Sequence, residues 1–116
     1  GPFVIQAAIA SLHAEQPRDW EQIAALYGEL ARLTDSPVVE LNRAIAIAEA
    51  SGAEHGLELI DRLALDDFQY LHSARAELLR RLGRFDEARD DYGRALALVA
   101  DDAERRLLER RRAELT

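Results

Sequence analysis

Few residues of this chain have the types and the spacing that chemistry requires. The three histidines, His13, His55 and His72, lie far apart, and none pairs with another at the short helical spacing that holds zinc. The acidic dipeptides invite a general acid and base role, but at least two of them stand where helices are expected to begin, and carboxylates there cap the helix. These dipeptides are Asp66-Asp67, Asp90-Asp91 and Asp101-Asp102. There is no glycine-rich phosphate loop and no nucleophile motif, so we expect no catalysis, no cofactor and no metal site.

The composition predicts a helical domain that does not itself bind nucleic acid. Hydrophobic residues make up 48% of the 116 residues and charged residues 32%, and the strong helix formers Ala, Leu, Glu and Arg dominate. The net charge is −7, whereas binding to the phosphate backbone requires a basic face. Cysteine is absent, which excludes disulfides and thiol chemistry. Because the longest apolar runs are too short to cross a bilayer, we expect a soluble protein without membrane contacts.

Helical periodicity runs through nearly the whole chain and is broken by short polar stretches. The pattern predicts seven helices, at about 3–14, 19–33, 37–50, 53–64, 67–82, 85–99 and 101–115. Ser36 before Pro37 predicts one helix start, and Gly52 and Gly83 allow left-handed exits. Three further N-cap residues are predicted at Asp19, Asp66 and Asp101.

The chain repeats itself. A shift of 32 or 33 residues superimposes Ile23, Gly56 and Ala88; Tyr27, Ile60 and Tyr92; and Ser11, Ala44 and Ala76. Small residues recur where two helices must approach closely, and a large residue recurs one turn later, so we expect Phe85 and Tyr92 to be buried. Three hairpins at a period of roughly 34 residues are typical of a tetratricopeptide solenoid. We therefore predict an all-α fold: a single domain over residues 1–116, a right-handed solenoid of three helical hairpins with a C-terminal capping helix.

Longer motifs carry a resemblance to known families. The stretch "GRFDEARDDYGRALAL" is similar to the second half of a tetratricopeptide repeat. The stretches "GPFVIQAAIASLHA", "SPVVELNRAIAIAEASG" with "GLELID", and "YLHSARAELLRRLGRFDEA" follow one another along the chain. In this order they closely resemble the C-terminal extension of a group of bacterial extracytoplasmic-function (ECF) RNA polymerase sigma factors.

That resemblance implies a regulatory domain in the cytoplasm. The DNA- and polymerase-binding sigma domains would lie upstream of this region, and DNA would be contacted only through them. Factors of this group generally lack a usual anti-sigma partner. The implied partners are the sigma domains of the same chain, the RNA polymerase core and a small protein of the YCII-like ("DGPF") type. A free-standing tetratricopeptide scaffold that binds a helical or extended peptide, with no role in transcription, is the alternative.

An apolar strip bordered by Arg and Tyr is expected on the inner face of the solenoid, as in a groove that binds a helix or an extended peptide. Its residues are Val38, Leu41, Asn42, Arg43, Ile45 and Glu49 from the third helix, and Tyr70, Ser73, Glu77, Arg80 and Arg81 from the fifth. The alternative is that a solenoid of three repeats closes on itself, which would make the strip part of the core.

Asn42 and Arg43 are polar residues inside an otherwise apolar helix. Tetratricopeptide domains that clamp a C-terminal carboxylate carry an Asn at the place of Asn42. The other clamp positions fall here on Ala8, Leu12, Tyr70 and Ala74, so the clamp is incomplete and chaperone-tail binding is rejected. We favour a structural role, in which both side chains satisfy backbone or carboxylate groups between adjacent hairpins, for instance Glu77 or Glu40.

The last helix, with its "ERRLLERRR" run, resembles a basic arm for DNA or polymerase. Its charges also form i,i+4 pairs such as Asp101 with Arg105 and Arg105 with Glu109, which are typical of a solvated helix. We therefore favour a terminal cap.

Overall fold

The computed structural model describes residues 1–115, and this range contains seven α-helices and no strand. They are α1 (Pro2–Ala14), α2 (Trp20–Thr34), α3 (Pro37–Ser51), α4 (Ala53–Ile60), α5 (Gln69–Arg81), α6 (Phe85–Leu98) and α7 (Asp102–Ala113). The predicted all-α fold class and the number of helices are confirmed. Within the same range, every helix is too short or too polar to span a membrane.

Local signals in the sequence set several of the helix ends. The side chains of Asp19, Ser36 and Asp101 each accept a hydrogen bond from a backbone N–H in the first turn of α2, α3 and α7, as predicted. Gly52 ends α3 with a φ of 112°, and Gly83 follows α5 with a φ of 74°. Both values lie in the region that favours glycine.

The connection between α4 and α5 is longer than the periodicity predicts. Helix α4 ends at Ile60 and α5 begins at Gln69, and the side chain of Asp66 caps neither helix. The backbone carbonyl of Asp66 instead accepts a hydrogen bond from Nε2 of His72, at 2.7 Å. Because His72 is buried, its ring N–H needs an acceptor, and this loop supplies it. The cap predicted at Asp66 is therefore wrong.

The chain divides into two compact units, Gly1–Leu63 (unit 1) and Ala64–Thr116 (unit 2). In unit 1, α1 packs on α2, α2 on α3, and α3 on α4; in unit 2, α5 packs on α6 and α6 on α7. The predicted hairpins are therefore present, and α7 follows the third of them. That the two units form one domain stays a prediction.

The repeat positions of unit 1 lie in its core. Ile23, Ala44 and Ile60 are buried, and Gly56 of α4 is buried against α3. A Cβ atom at Gly56 would lie 2.6 Å from the Cβ of Ala48 and 2.8 Å from the carbonyl oxygen of Ala44. Only glycine fits at this crossing, which explains its place in the repeat. Ser11 departs from the pattern, because it is exposed.

The corresponding residues of unit 2 are buried too. Ala76 and Ala88 are inaccessible to solvent, and Tyr92 fills the space beside them. Phe85 is only partly buried, so the expectation that it matches Tyr92 in burial is wrong. It begins α6, where a side chain has neighbours on fewer sides than in the middle of a helix.

A Tyr-Gly dipeptide occurs at the same position of α2 and α6, and each glycine lies beneath an arginine of the helix that follows. A Cβ at Gly28 would lie 3.4 Å from Nε of Arg43, and a Cβ at Gly93 would lie 3.7 Å from the guanidinium of Arg112. Each glycine thus leaves a notch that an arginine side chain covers.

We predict that Gly56→Ala destabilises the protein, although alanine has the higher helix propensity. The added methyl meets backbone atoms that cannot move aside, and overpacking of this kind lowers the free energy of unfolding by about 1–3 kcal/mol. The higher helix propensity of alanine raises it by at most ~1 kcal/mol, so we expect a net loss of stability. Thermal unfolding followed by circular dichroism measures the change. Gly28→Ala is the matched control, since its methyl meets only a flexible arginine side chain and melting should stay level or rise. A rise for Gly56→Ala would contradict the close approach of α3 and α4.

Candidate functional site

The predicted groove residues lie on two helices that belong to different units, and the two sets are described separately. On α3, Leu41 is a core residue with 2% exposure, whereas Val38 and Glu49 are exposed. Asn42, Arg43 and Ile45 are partly buried. This helix therefore presents a mixed surface, and Leu41 lies beneath it.

The α5 residues form the more polar set. Tyr70 is 47% exposed, Arg80 and Arg81 are exposed, and Ser73 and Glu77 are partly buried. The hydroxyl of Tyr70 donates to a carboxylate oxygen of Glu104 on α7, at 2.7 Å. That hydrogen bond raises the pKa of the Tyr70 phenol, so the group stays a donor.

Arg43 is held in place within unit 1. Its guanidinium lies 3.8 Å from Glu40 on the same helix, and its side chain covers Gly28 on α2. The pair with Glu40, one of the two predicted partners, is therefore present, although it lies within α3 and not between hairpins. The other candidate, Glu77, binds two arginines of its own helix.

Asn42 lines a cavity of about 350 Å³ in unit 1, together with residues of α1 and α2. Its walls include His13 and Tyr27, whose rings meet edge to face at 6.3 Å. Burial raises the pKa of the Tyr27 phenol. The walls are otherwise largely apolar, from Ile9, Leu30 and Val39.

Glu77 is the centre of an ion-pair network on α5. Arg80 donates to both oxygens of its carboxylate, at 2.5 and 3.0 Å, and Nε of Arg81 donates at 3.2 Å. The hydrogen bond from Arg80 is the main cause that lowers the pKa of Glu77 below its usual 4.5. The same bond raises the pKa of Arg80. The network links three groove side chains on one face of α5.

The burial of Asp91 and its ion pairs were not predicted from the sequence. Its side chain is buried on α6, Arg75 of α5 donates to it at 2.5 Å, and Arg94 donates at 2.7 Å. Nδ1 of His72 lies 4.0 Å from the same carboxylate. Of the dipeptide Asp90-Asp91, which lies inside α6, Asp91 therefore links α6 to α5 through its ion pair with Arg75.

Two of the remaining candidates, His13 and Arg105, have structural partners. His13 contacts Trp20 edge to face at 5.5 Å. No group of three or more metal-binding side chains is found within residues 1–115. On α7, the guanidinium of Arg105 donates a hydrogen bond to the carbonyl of Val99 at 3.0 Å. This contact takes the place of the predicted ion pair with Asp101.

Comparison with known proteins gives one informative match. The chain is similar to an uncharacterized protein of Rhizobium meliloti, with 46% identity over 110 residues. The match covers 90% of this chain and 26% of that protein, so the chain spans about a quarter of its relative's length. No protein-family model matches the chain. No solved structure matches it either.

We predict that Asp91→Asn destabilises unit 2. Removing the charge leaves the guanidinium of Arg75 beside a neutral partner in a partly buried site, and breaking such a pair costs about 2 kcal/mol or more. Chemical denaturation of both proteins measures the difference. The control is Asp90→Asn, which alters the exposed neighbour on the same helix and should cost less than ~0.5 kcal/mol. Equal effects would contradict the buried role of Asp91.

A second prediction concerns pH. The folded pKa of Glu77 lies below its unfolded value, so its stabilising contribution is present above about pH 4.5 and is lost as the pH falls through the lowered value. Glu77→Gln should therefore lower the melting temperature at pH 7, and the difference from the parent chain should shrink towards pH 3. Glu87→Gln, which alters an exposed pair with Arg84, serves as the control and should change melting little. If the difference in melting temperature between Glu77→Gln and the parent chain were the same at every pH, the stabilising role of the charged Glu77 network would be contradicted.

Proposed function

We propose that this chain is the regulatory protein-interaction domain of an ECF-type sigma factor and acts in the cytoplasm. The support from sequence is the ordered set of motifs that resemble the C-terminal extension of such factors. The observation that carries the proposal further is the extent of the match to the Rhizobium protein. About three quarters of that protein lies outside the match, which leaves room for the sigma domains that the resemblance implies.

The proposed mechanism is docking rather than catalysis. The domain would contact the sigma domains of its own chain, the RNA polymerase core or a YCII-like partner, and would thereby set whether the factor initiates transcription. With a net charge of −7, it would leave the contacts with DNA to the sigma domains.

The exposed face of α5 offers suitable anchors for a protein partner. Tyr70, Arg80 and Arg81 project to the surface, and their hydrogen bonds to Glu104 and Glu77 hold them in position. Tyr and Arg are the residues that most often dominate binding energy at interfaces, and preorganised side chains lose less entropy on binding.

We predict that the full-length protein carrying Tyr70→Ala, Arg80→Ala and Arg81→Ala loses normal control of transcription in a reconstituted promoter assay. Each truncated anchor can cost about 2 kcal/mol of binding energy, which is roughly a thirtyfold change in affinity. Deleting residues 1–116 from the full-length protein should have the same effect.

The matched control is Arg84→Ala with Arg89→Ala. These arginines are paired within α6, and their removal should leave transcription unchanged. Circular dichroism of the two substitution variants checks that they keep their helices. Unchanged transcription after deletion of the whole region would overturn the proposed function, and so would a full-length protein without sigma domains.

A further inference from the structure

Unit 2 contains a polar cavity of about 530 Å³ between the C-terminal ends of α5 and α7. Its size is within the range of small-molecule sites, and its walls are mostly charged. Within the described part of the chain, its lining residues are Glu77, Arg80, Arg81, Tyr92, Arg111 and Glu114.

The hydroxyl of Tyr92 is the unusual feature of this cavity. The side chain is 1% exposed, and its oxygen makes no hydrogen bond to any residue of the described chain. A buried hydroxyl without a partner costs free energy, so such groups are rare and call for an explanation. Burial raises the pKa of this phenol, and the charges of Glu77 and Arg111 act on it. Tyr92 is therefore a protonated donor that faces the charged wall.

The arginines of the cavity differ in what they bind. Arg80 and Arg81 share the carboxylate of Glu77. Arg111 and Glu114 make no ion pair with each other or with any other residue in the range 1–115. The guanidinium of Arg111 thus has donors to offer in the same cavity as the Tyr92 hydroxyl.

The charges of the lining select the class of ligand. Among the described residues of the lining, three guanidinium groups face two carboxylates, which is an excess of one positive charge in a chain whose net charge is −7. A single negative group neutralises it. A dianionic phosphate would be repelled by Glu77 and Glu114. A carboxylate brings only one negative charge, and its two oxygens can accept two parallel hydrogen bonds from one guanidinium.

We infer that this cavity binds a small organic acid through its carboxylate, which accepts hydrogen bonds from the hydroxyl of Tyr92 and the guanidinium of Arg111. Arg80 and Arg81 add positive potential, and Glu77 holds them in place. The inference depends on unit 2 alone and stands whether or not the chain regulates a sigma factor. In that proposed role, the acid would be a signal read by the domain.

Binding is tested on the 116-residue chain by titration followed in two-dimensional amide NMR spectra. The probes are acetate, benzoate and glutarate, with benzamide as the neutral match for benzoate. Inorganic phosphate and a capped Glu-Glu peptide test the other sources of an anionic group. We expect saturable shifts of the Tyr92 and Arg111 signals with at least one free carboxylate and none with benzamide.

Two variants separate ligand binding from folding. Tyr92→Phe removes only the hydroxyl; it should weaken binding of the best acid about tenfold, yet leave the melting temperature level or higher, because a buried unsatisfied group is lost. Arg111→Gln should weaken binding about 10- to 100-fold. Arg110→Gln is the control of equal charge on the same helix, exposed and outside the cavity, and should change affinity less than twofold.

Three outcomes overturn the inference. The first is no saturable shift with any of the free acids. The second is tighter binding of phosphate or of the peptide than of every free acid. The third is equal loss of affinity in Arg110→Gln and Arg111→Gln, which would reduce the effect to net charge. All three outcomes are measured by ligand binding, without a transcription assay. Failure of this inference can therefore be distinguished from failure of the proposed function.

Discussion

The arrangement of unit 2 depends on one buried carboxylate. The buried carboxylate of Asp91 accepts hydrogen bonds from Arg75, which crosses from α5, and from Arg94 on its own helix, since an unpaired charge at that depth would be very costly. This requirement sets the rotation of α5 against α6. Once Arg75 faces α6, the helical period turns Glu77 and Arg81 away from Asp91, towards the cavity. The surface chemistry of α5 is thus a consequence of a buried ion pair.

Local structure was largely predictable from the sequence because its causes are local. Polar caps, Pro37 and the two glycines of positive φ mark helix ends within a few residues of where they occur. The recurrence of small residues correctly located the close helix crossings, above all Gly56. The error between α4 and α5 has a tertiary cause, since a hydrogen bond from His72 holds that connection, and no periodicity reports it.

The candidate site was less predictable, because charged side chains choose among many rotamers of similar energy. The i,i+3 pairs of α5 and α6 form, whereas Arg105 of α7 prefers a backbone carbonyl to its expected carboxylate. A signal for Asp91 was nevertheless available. It lies three residues after Ala88 and four before Ala95, on the buried stripe of α6, so its burial could have been inferred from helical spacing.

The covered notch at each Tyr-Gly dipeptide has a consequence for how such an array gains or loses repeats over evolution. The space left by the absent side chain at Gly28 or Gly93 is filled by an arginine from the next helix. A duplicated hairpin whose leading helix carries that arginine would cover the notch, and one without it would leave the notch open to solvent. The second hairpin has Ile60-Asp61 at the equivalent position, so the arginine and glycine pair is a packing device at two of the helix junctions and not a requirement of every repeat.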